Sequence, residues 1–133
     1  MKNKPKAFSE TEKEYTDAVL EGLDVKNKAV TGRSFYGCLF RNCDFTGGTF
    51  NSCRFNDCRF ESCNLSLAVV RGSVFSNTSF KDSKLAGVNW TEAAWPALKL
   101  PAALEFTSCV LKDARFSMPE AMALLYCLDI KII

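Results

Sequence analysis

The chain has 133 residues, the size of a single domain, and 47% of them are hydrophobic. Its 17 basic and 15 acidic residues leave a net charge of +2, which is too balanced to indicate a nucleic-acid, membrane-surface or acidic partner. The chain contains no histidine, which excludes serine–histidine and cysteine–histidine catalytic pairs and histidine-ligated metals.

Residues 1–14 mix lysines with glutamates and lack an apolar segment. We expect a flexible N-terminal tail here; a basic arm that touches a partner is the alternative. The segment has no apolar core of an export signal, and no later run approaches the roughly 20 apolar residues that span a bilayer. We therefore expect a cytoplasmic protein with no membrane partner.

From Tyr15 to Leu100 a large apolar side chain occupies every fifth position, 18 times in succession. On a helix, steps of five turn by about 140° each, and on a straight strand alternate members face opposite sides. The row shares one interior only if the backbone turns a corner in each five-residue unit. Four corners close a square, and squares stacked about 4.8 Å apart can pair their backbone groups as strands do.

The positions around each apolar centre also repeat. Two residues before the centre, in what we call the inner slot, stand small residues: Cys38, Cys43, Gly48, Cys53, Cys58, Cys63, Ala68, Ser73, Thr78, Ser83, Val88 and Ala93. Two residues after it, at the corner position, stand turn formers: Gly37, Asn42, Gly47, Ser52, Asp57, Ser62, Gly72, Asn77, Asp82 and Gly87. Leu67 and Glu92 are the exceptions at the corner position.

Several units carry the motif of a known family: Cys-Asp-Phe-Thr-Gly (43–47), Cys-Arg-Phe-Asn-Asp (53–57), Cys-Arg-Phe-Glu-Ser (58–62) and Cys-Asn-Leu-Ser-Leu (63–67). They resemble the pentapeptide-repeat family. The resemblance covers residues 15–118 and implies an all-β fold, a right-handed quadrilateral β-helix. With 20 residues in a turn, the solenoid would have about five coils.

The solenoid divides into a cap and a body. Over residues 15–33, Leu23, Lys28 and Arg33 occupy the inner slot, and lysine or arginine cannot be buried there unpaired. We therefore expect an irregular N-terminal cap coil. Residues 34–95 form the regular body, in which residues 20 apart should stack into two aromatic ladders: Phe35, Phe55, Phe75 and Trp95 in one, and Phe40, Phe60 and Phe80 in the other.

Residues 96–105 contain two prolines and disturb the row, which resumes one position out of phase at Phe106, Leu111 and Phe116. We expect an irregular insertion there. Residues 119–133 read as a short C-terminal helix followed by a strand at 129–133. This tail predicts either a cap or a homodimer contact, since it is similar to the tail through which gyrase-protecting members dimerise. The candidate contacts are Leu124, Leu125, Leu128, Ile130 and Ile132.

The cysteines raise the question of metal or redox chemistry. The C-x₄-C spacing follows from the five-residue repeat and lacks the short spacing of zinc sites. Cys38 with Cys58, and Cys43 with Cys63, would stack within disulfide reach, but we expect free thiols in a reducing compartment. We interpret them as packing residues and expect no metal, no cofactor and no enzymatic activity; a cysteine-based metal or redox module is the alternative.

Two further hypotheses concern partners. A non-enzymatic scaffold for protein–protein interaction, with an unidentified protein partner, fits a stiff rod with flat β faces. The alternative is a DNA mimic that binds DNA gyrase or topoisomerase, as the family's quinolone-resistance and toxin-immunity members imply. Residues 31–95 carry 7 basic and 5 acidic residues, which counts against mimicry. We expect no direct binding to nucleic acid.

Overall fold

The chain winds into a stack of four-sided coils. The computed structural model describes residues 12–94 and 104–115 and the backbone of residues 129–131. Each five-residue unit contributes a short strand or a single β-bridge around its apolar centre, followed by a bend. Neighbouring strands are parallel. The predicted all-β solenoid of stacked coils is confirmed.

The strands of successive coils line up on four faces. Face one contains β1 (Glu14–Thr16), β4 (Ser34–Tyr36), β7 (Arg54–Asn56) and β9 (Val74–Ser76). Face two contains β2 (Val19–Glu21), β5 (Leu39–Arg41), β8 (Arg59–Glu61), β10 (Thr78–Lys81), β11 (Leu104–Val110) and β12 (Asp129–Lys131). Face three consists of bridges through Asp24, Asp44, Asn64, Lys84 and Val110. Face four contains β3 (Ala29–Thr31) and β6 (Thr49–Asn51) and continues through Val69, Asn89 and Arg115.

The register repeats every 20 residues, because one coil uses four five-residue units. Tyr15 pairs with Phe35, which in turn pairs with Phe55. The pairing of Phe80 with Phe106, a separation of 26 residues, departs from this register. This coil is therefore six residues longer than those before it, consistent with a phase slip of one. The pairing of β11 with β12 departs as well, since Thr107 lies opposite Asp129 and the register shifts before Cys109. Most of the predicted insertion at 96–105 lies outside the described residues, but residues 104 and 105 already belong to β11.

The apolar row fills the interior of the solenoid. Its described members from Tyr15 to Trp90, and then Phe106 and Leu111, are buried. The predicted ladders are present: the rings of Phe35 and Phe55 stack with centroids 5.1 Å apart, and those of Phe40 and Phe60 stack at 4.4 Å. Trp95 and Phe116 lie outside the described residues. Rings stacked at this spacing bury apolar surface on both faces of each ring.

On face four, the apolar centre that follows Val70 is Trp90, and its local structure differs from that of the other centres. Trp90 begins a 3₁₀ turn, Trp90–Glu92, and the Asn89 side chain accepts a hydrogen bond from the Thr91 backbone N–H. Trp90 lies edge-on to Phe75, with ring centroids 5.4 Å apart. Because Glu92 lies in this turn, the corner position there does not need the left-handed conformation that the other corners adopt.

Where the sequence predicts an irregular first coil, the structure has the regular strands β1, β2 and β3. Side chains in the inner slot reach toward the preceding coil, as the bond from the Cys38 thiol to the Tyr15 carbonyl shows. No coil precedes the first one among the described residues, so long side chains can leave the interior there. Lys28 is accordingly exposed, and Arg33 Nε donates to the Glu12 carbonyl oxygen at 3.2 Å.

The corner positions adopt positive φ angles, as turn formers there predict. Six glycines do so, together with asparagine, aspartate and serine residues such as Asn42, Ser52 and Asp57. Leu67 also does so, with φ at 62°. The corner geometry is therefore set by the repeat, and it is imposed even on a residue that avoids it.

Some predictions fall where the structure gives no description. The N-terminal tail is described only from residue 12, and the predicted helix at 119–128 lies outside the described residues. The backbone of 129–131 forms β12, which runs parallel to β11. Among the described residues, no helix has the length and apolarity to cross a membrane.

Candidate interaction surface

The candidate tail contacts cannot be placed as side chains. Leu124, Leu125, Leu128 and Ile132 lie outside the described residues, and Ile130 is described only as backbone, opposite Cys109 in β11. The homodimer contact therefore stays a prediction. The cysteines and the outer faces are described, and they decide what the solenoid can do.

The cysteines in the inner slots are hydrogen-bond donors between coils. The Cys58 thiol donates to the carbonyl oxygen of Phe35 in the preceding coil at 3.3 Å and to that of Asn56 at 3.4 Å. Ser73 and Thr78, in equivalent slots, donate in the same way to Phe50 and Phe55 at 2.8 and 3.1 Å. The slot therefore selects a small side chain that can also satisfy a buried carbonyl.

The inner slots at one corner contain no cysteine, serine or threonine, and the backbone hydrogen bonds there explain why. At the corner between faces three and four, the slot backbone N–H itself closes a turn, as in the bond from Gly48 N–H to the Phe45 carbonyl at 2.9 Å. The same bond forms from Ala68 to Leu65 and from Lys28 to Val25. The centre carbonyl is already satisfied there, so the slot needs no hydroxyl or thiol. Cysteine, serine and threonine accordingly occur at the other corners.

Hydrogen bonding and burial shift the thiol pKa values. Interaction between the neighbouring Cys38 and Cys58 thiols lowers the pKa of Cys38 to about 7 and raises that of Cys58. Cys43, whose pKa is likewise lowered to about 7, and Cys63 behave as an equivalent pair. Burial raises the pKa of the Cys53 thiol. All of these side chains are at most 3% exposed, so packing shields the thiols from solution reagents.

The described cysteines do not converge as a metal site requires. All six are free, and each donates to backbone carbonyls. Within the described ranges, no three histidine, cysteine, aspartate or glutamate side chains are grouped to hold a metal ion. The arrangement therefore supports packing and hydrogen bonding between coils.

Faces two and three carry several ion pairs, although exposed Lys81 and Lys84 on these faces form none with any residue that the structure describes. Arg41 on face two lies 3.5 Å from the Glu21 carboxylate of the preceding coil. On face three, Lys26 contacts the carboxylates of Asp24 at 3.3 Å and Asp44 at 3.6 Å. Hydrogen bonds from the Lys26 backbone to Asp24 and from the Thr46 hydroxyl to Asp44 lower the pKa of both carboxyl groups. These carboxylates are therefore ionised and already partnered.

Face four differs from the other faces. At its strand positions the described outward side chains include no carboxylate: Ala29, Thr31, Thr49, Asn51, Val69, Arg71, Asn89, Thr91 and Arg115. Exposed Glu92 stands at the corner that follows Thr91. Exposed Arg71, and exposed Arg54 beyond the next corner, form no ion pair with any residue that the structure describes. At the opposite edge of this face stands Leu67, 64% exposed and the one large hydrophobic side chain that is exposed among the described residues.

A family model described as the pentapeptide repeat region matches residues 33–116, well over half of the chain. The chain belongs to the pentapeptide-repeat family. Each five-residue unit of the apolar row forms one side of a four-sided coil.

Two solved structures show the same fold. A trypsin-treated form of QnrB1, a plasmid-mediated fluoroquinolone resistance protein, is 20% identical with a TM-score of 0.54, covering 73% of this chain and 57% of QnrB1. A pentapeptide repeat protein from the Arabidopsis thaliana thylakoid lumen is 19% identical with a TM-score of 0.53, covering 78% of this chain and 74% of that one. Among curated proteins, none matches the chain. This chain therefore spans little more than half the length of QnrB1.

Sequence reasoning located the surface of this pentapeptide-repeat solenoid only in part. Leu67 was visible as an exception among the turn formers, because the repeat specifies that position. The absence of described carboxylates at the strand positions of face four was visible only after the four faces had been separated, since residues 31, 51, 71 and 91 are distant in sequence.

Proposed function

We propose that this pentapeptide-repeat chain is a non-enzymatic cytoplasmic scaffold that binds another protein through an outer face. One observation carries the proposal: stacked aromatic rings fill the interior, so the regular outer faces are the surfaces on which the fold can act. Phe40, Phe60 and Phe80, for example, stack with centroids 4.4 and 4.7 Å apart. Parallel strands hold the outward side chains in fixed rows, a preorganised arrangement that reduces the entropic cost of binding.

Photo-crosslinking in the native host tests this proposal. A photoreactive amino acid would replace one half-buried outward residue on each face: Asn56, Ser79, Ser66 or Asn51. Leu85, which is fully buried, provides the matched control position. We expect a protein adduct from at least one face and none from position 85. Adducts from no face would contradict the scaffold.

A second candidate function, binding to DNA gyrase, is favoured by the structural similarity to QnrB1, a fluoroquinolone resistance protein. The surface charges argue against a DNA mimic, because a mimic needs free carboxylates where a duplex has phosphates. Here Glu21 and Asp44 are paired with Arg41 and Lys26, and residues 31–95 carry 7 basic against 5 acidic residues. A gyrase supercoiling assay with a fluoroquinolone tests whether the chain protects gyrase. We expect no rescue of supercoiling. Rescue at stoichiometric amounts of this protein would establish the second candidate.

We also propose that the chain forms a homodimer through Leu124, Leu125, Leu128, Ile130 and Ile132. The proposal is supported by the sequence pattern of residues 119–133, which predicts a short helix followed by a strand. Sedimentation velocity of the full chain and of its Leu124→Glu variant tests it: a dimer that becomes a monomer on substitution is expected, and a wild-type monomer at all concentrations would contradict it.

A further inference from the structure

Leu67 occupies a position that the fold does not favour for a leucine. Its φ of 62° lies in the left-handed region, which a non-glycine residue reaches only at a cost in free energy. Its side chain is 64% exposed, so core burial does not compensate for that cost. Strain of this kind concentrates at functional sites, and here it displays an apolar side chain to solvent.

The neighbouring coils leave space around this leucine. The corner positions one coil before and after it are Gly47 and Gly87. A Cβ atom on Gly87 would come within 2.7 Å of Leu67 Cδ2, so the leucine side chain lies directly over that glycine. Because the glycines on either side have no side chains to cover it, the Leu67 side chain stays exposed at the edge of face four.

Two arginines, Arg71 and Arg54, lie near Leu67. Val69 and Arg71 follow Leu67 along face four, the former half-buried and the latter exposed. The Arg71 carbonyl accepts a hydrogen bond from Ser52 N–H at 3.0 Å, which ties its backbone to the coil that continues to Arg54. Both arginines lack an ion-pair partner among the described residues, whereas Arg41 on face two has one; exposed Lys81 and Lys84 on faces two and three are also unpaired, but no exposed large hydrophobic side chain of the described residues lies beside them. The charge on this side of the solenoid is thus available to a carboxylate.

We propose that Leu67, Val69, Arg71 and Arg54 form a docking patch for an extended acidic segment of a partner protein, one that carries carboxylates beside apolar side chains. The proposal rests on the scaffold function proposed above and assigns the face and the chemistry of the partner. Leu67 and Arg71 are four residues apart and so at most roughly 13 Å apart, a distance that suits a short segment rather than a whole domain. Arginine guanidinium groups bind carboxylates bidentately, and the leucine fills an apolar pocket of the segment.

The same patch is poorly suited to nucleic acid. Two unpaired guanidinium groups would neutralise only about two phosphates, too few for appreciable affinity at physiological salt. Binding of single strands also relies on aromatic side chains for base stacking, and the described outward residues of face four include none. A protein segment is therefore the occupant that the chemistry favours.

Selection from a random peptide library tests the proposal. The library is passed over the immobilised Leu67→Asn/Arg71→Gln double variant to remove its binders and is then selected on the full wild-type chain. Asparagine tolerates positive φ, so this variant keeps the fold. We expect enriched peptides to combine aspartate or glutamate with apolar residues. Enrichment of basic or unbiased sequences, or no enrichment after depletion, would overturn the proposal.

Affinities of the selected peptides for single variants sharpen the test. By fluorescence anisotropy, Leu67→Asn and Arg71→Gln should each weaken binding about tenfold, whereas the matched control Arg41→Gln on face two should leave it unchanged. Peptides that bind wild type and both patch variants equally would end the docking-patch proposal while leaving the scaffold function intact. An oligonucleotide that binds in an Arg71-dependent manner would overturn the choice of a protein partner.

Discussion

At the corner between faces three and four, Leu67 adopts a backbone conformation that leucine avoids. The left-handed region costs an L-residue with a Cβ atom roughly 1–2 kcal/mol, less for asparagine, whose side chain can bond locally. The corners of the other coils are occupied by glycine, asparagine, aspartate or serine. The leucine is thus the residue at which repeat geometry and residue preference conflict most directly.

We predict that Leu67→Asn stabilises the protein by about 0.5–1 kcal/mol. The gain arises because asparagine relieves the backbone strain while an exposed side chain loses little packing. Urea unfolding measures the change, and Leu67→Ala is the control: alanine lacks a polar side chain that can bond locally in the left-handed region, so it should give no gain from the backbone. An asparagine variant less stable than wild type would show that the leucine contributes packing that its exposure hides.

Substitution by alanine should create a steric clash at Gly47 but not at Gly32, although both glycines have φ of 66°. A Cβ atom on Gly47 would overlap Asn27 Oδ1, whereas nothing lies within 4 Å of one on Gly32. We expect Gly32→Ala to cost about 1 kcal/mol and Gly47→Ala roughly 1 kcal/mol more. In an Asn27→Gly background the two costs should become equal in urea unfolding. Equal costs without that change would contradict the overlap.

At the scale of the element, the aromatic ladder dominates stability. Phe60 lies between Phe40 and Phe80, with centroids 4.4 and 4.7 Å away, and is 1% exposed. We predict that Phe60→Ala costs about 3–5 kcal/mol because it removes a ring from the middle of a stack and leaves a cavity. Exposed Arg59→Ala, one residue away, should change stability by less than about 0.5 kcal/mol. Comparable effects of both substitutions in thermal unfolding would refute a packed ladder.

We predict that the buried thiol of Cys53, in an inner slot, makes the free energy of unfolding depend on pH. Burial raises the pKa of Cys53 in the folded protein, so its stabilising contribution is complete below the unfolded pKa, about 8.5. Above that pH the unfolded state loses the proton first, and stability falls by up to about 1.4 kcal/mol per pH unit. Urea unfolding between pH 7 and 10 should show a shallower decline for Cys53→Ser than for wild type. Identical slopes would contradict a buried neutral thiol.

The elements differ in how far the sequence predicts them. The ladder from Phe35 to Phe75 was predictable because a strict period of five admits one winding of the backbone. The placement of cysteines was predictable only as small residues, since the hydrogen bonds of the corners decide which slots need a donor. Gly48 and Cys58 occupy equivalent slots in the sequence, yet the centre carbonyl is satisfied by a turn N–H in one and by a thiol in the other.

At the scale of the whole molecule, charge is arranged by face rather than along the chain. The sequence gives only a net charge of +2, which carries no information about partners. Separated onto four faces, the same charges form ion pairs on faces two and three, where Lys81 and Lys84 stay unpaired, and leave Arg71 on face four unpaired beside exposed Leu67, all among the described residues. The candidate surface could not be predicted from composition, because it depends on which residues the 20-residue register brings together.

A five-residue apolar row winds the backbone into stacked four-sided coils. Nuclear Overhauser contacts between specifically labelled phenylalanine rings in solution measure this stacking. We expect strong ring-to-ring contacts between Phe40 and Phe60 and between Phe60 and Phe80, whose centroids lie 4.4 and 4.7 Å apart. Contacts confined to rings close in sequence, with none between residues 20 apart, would contradict the coil.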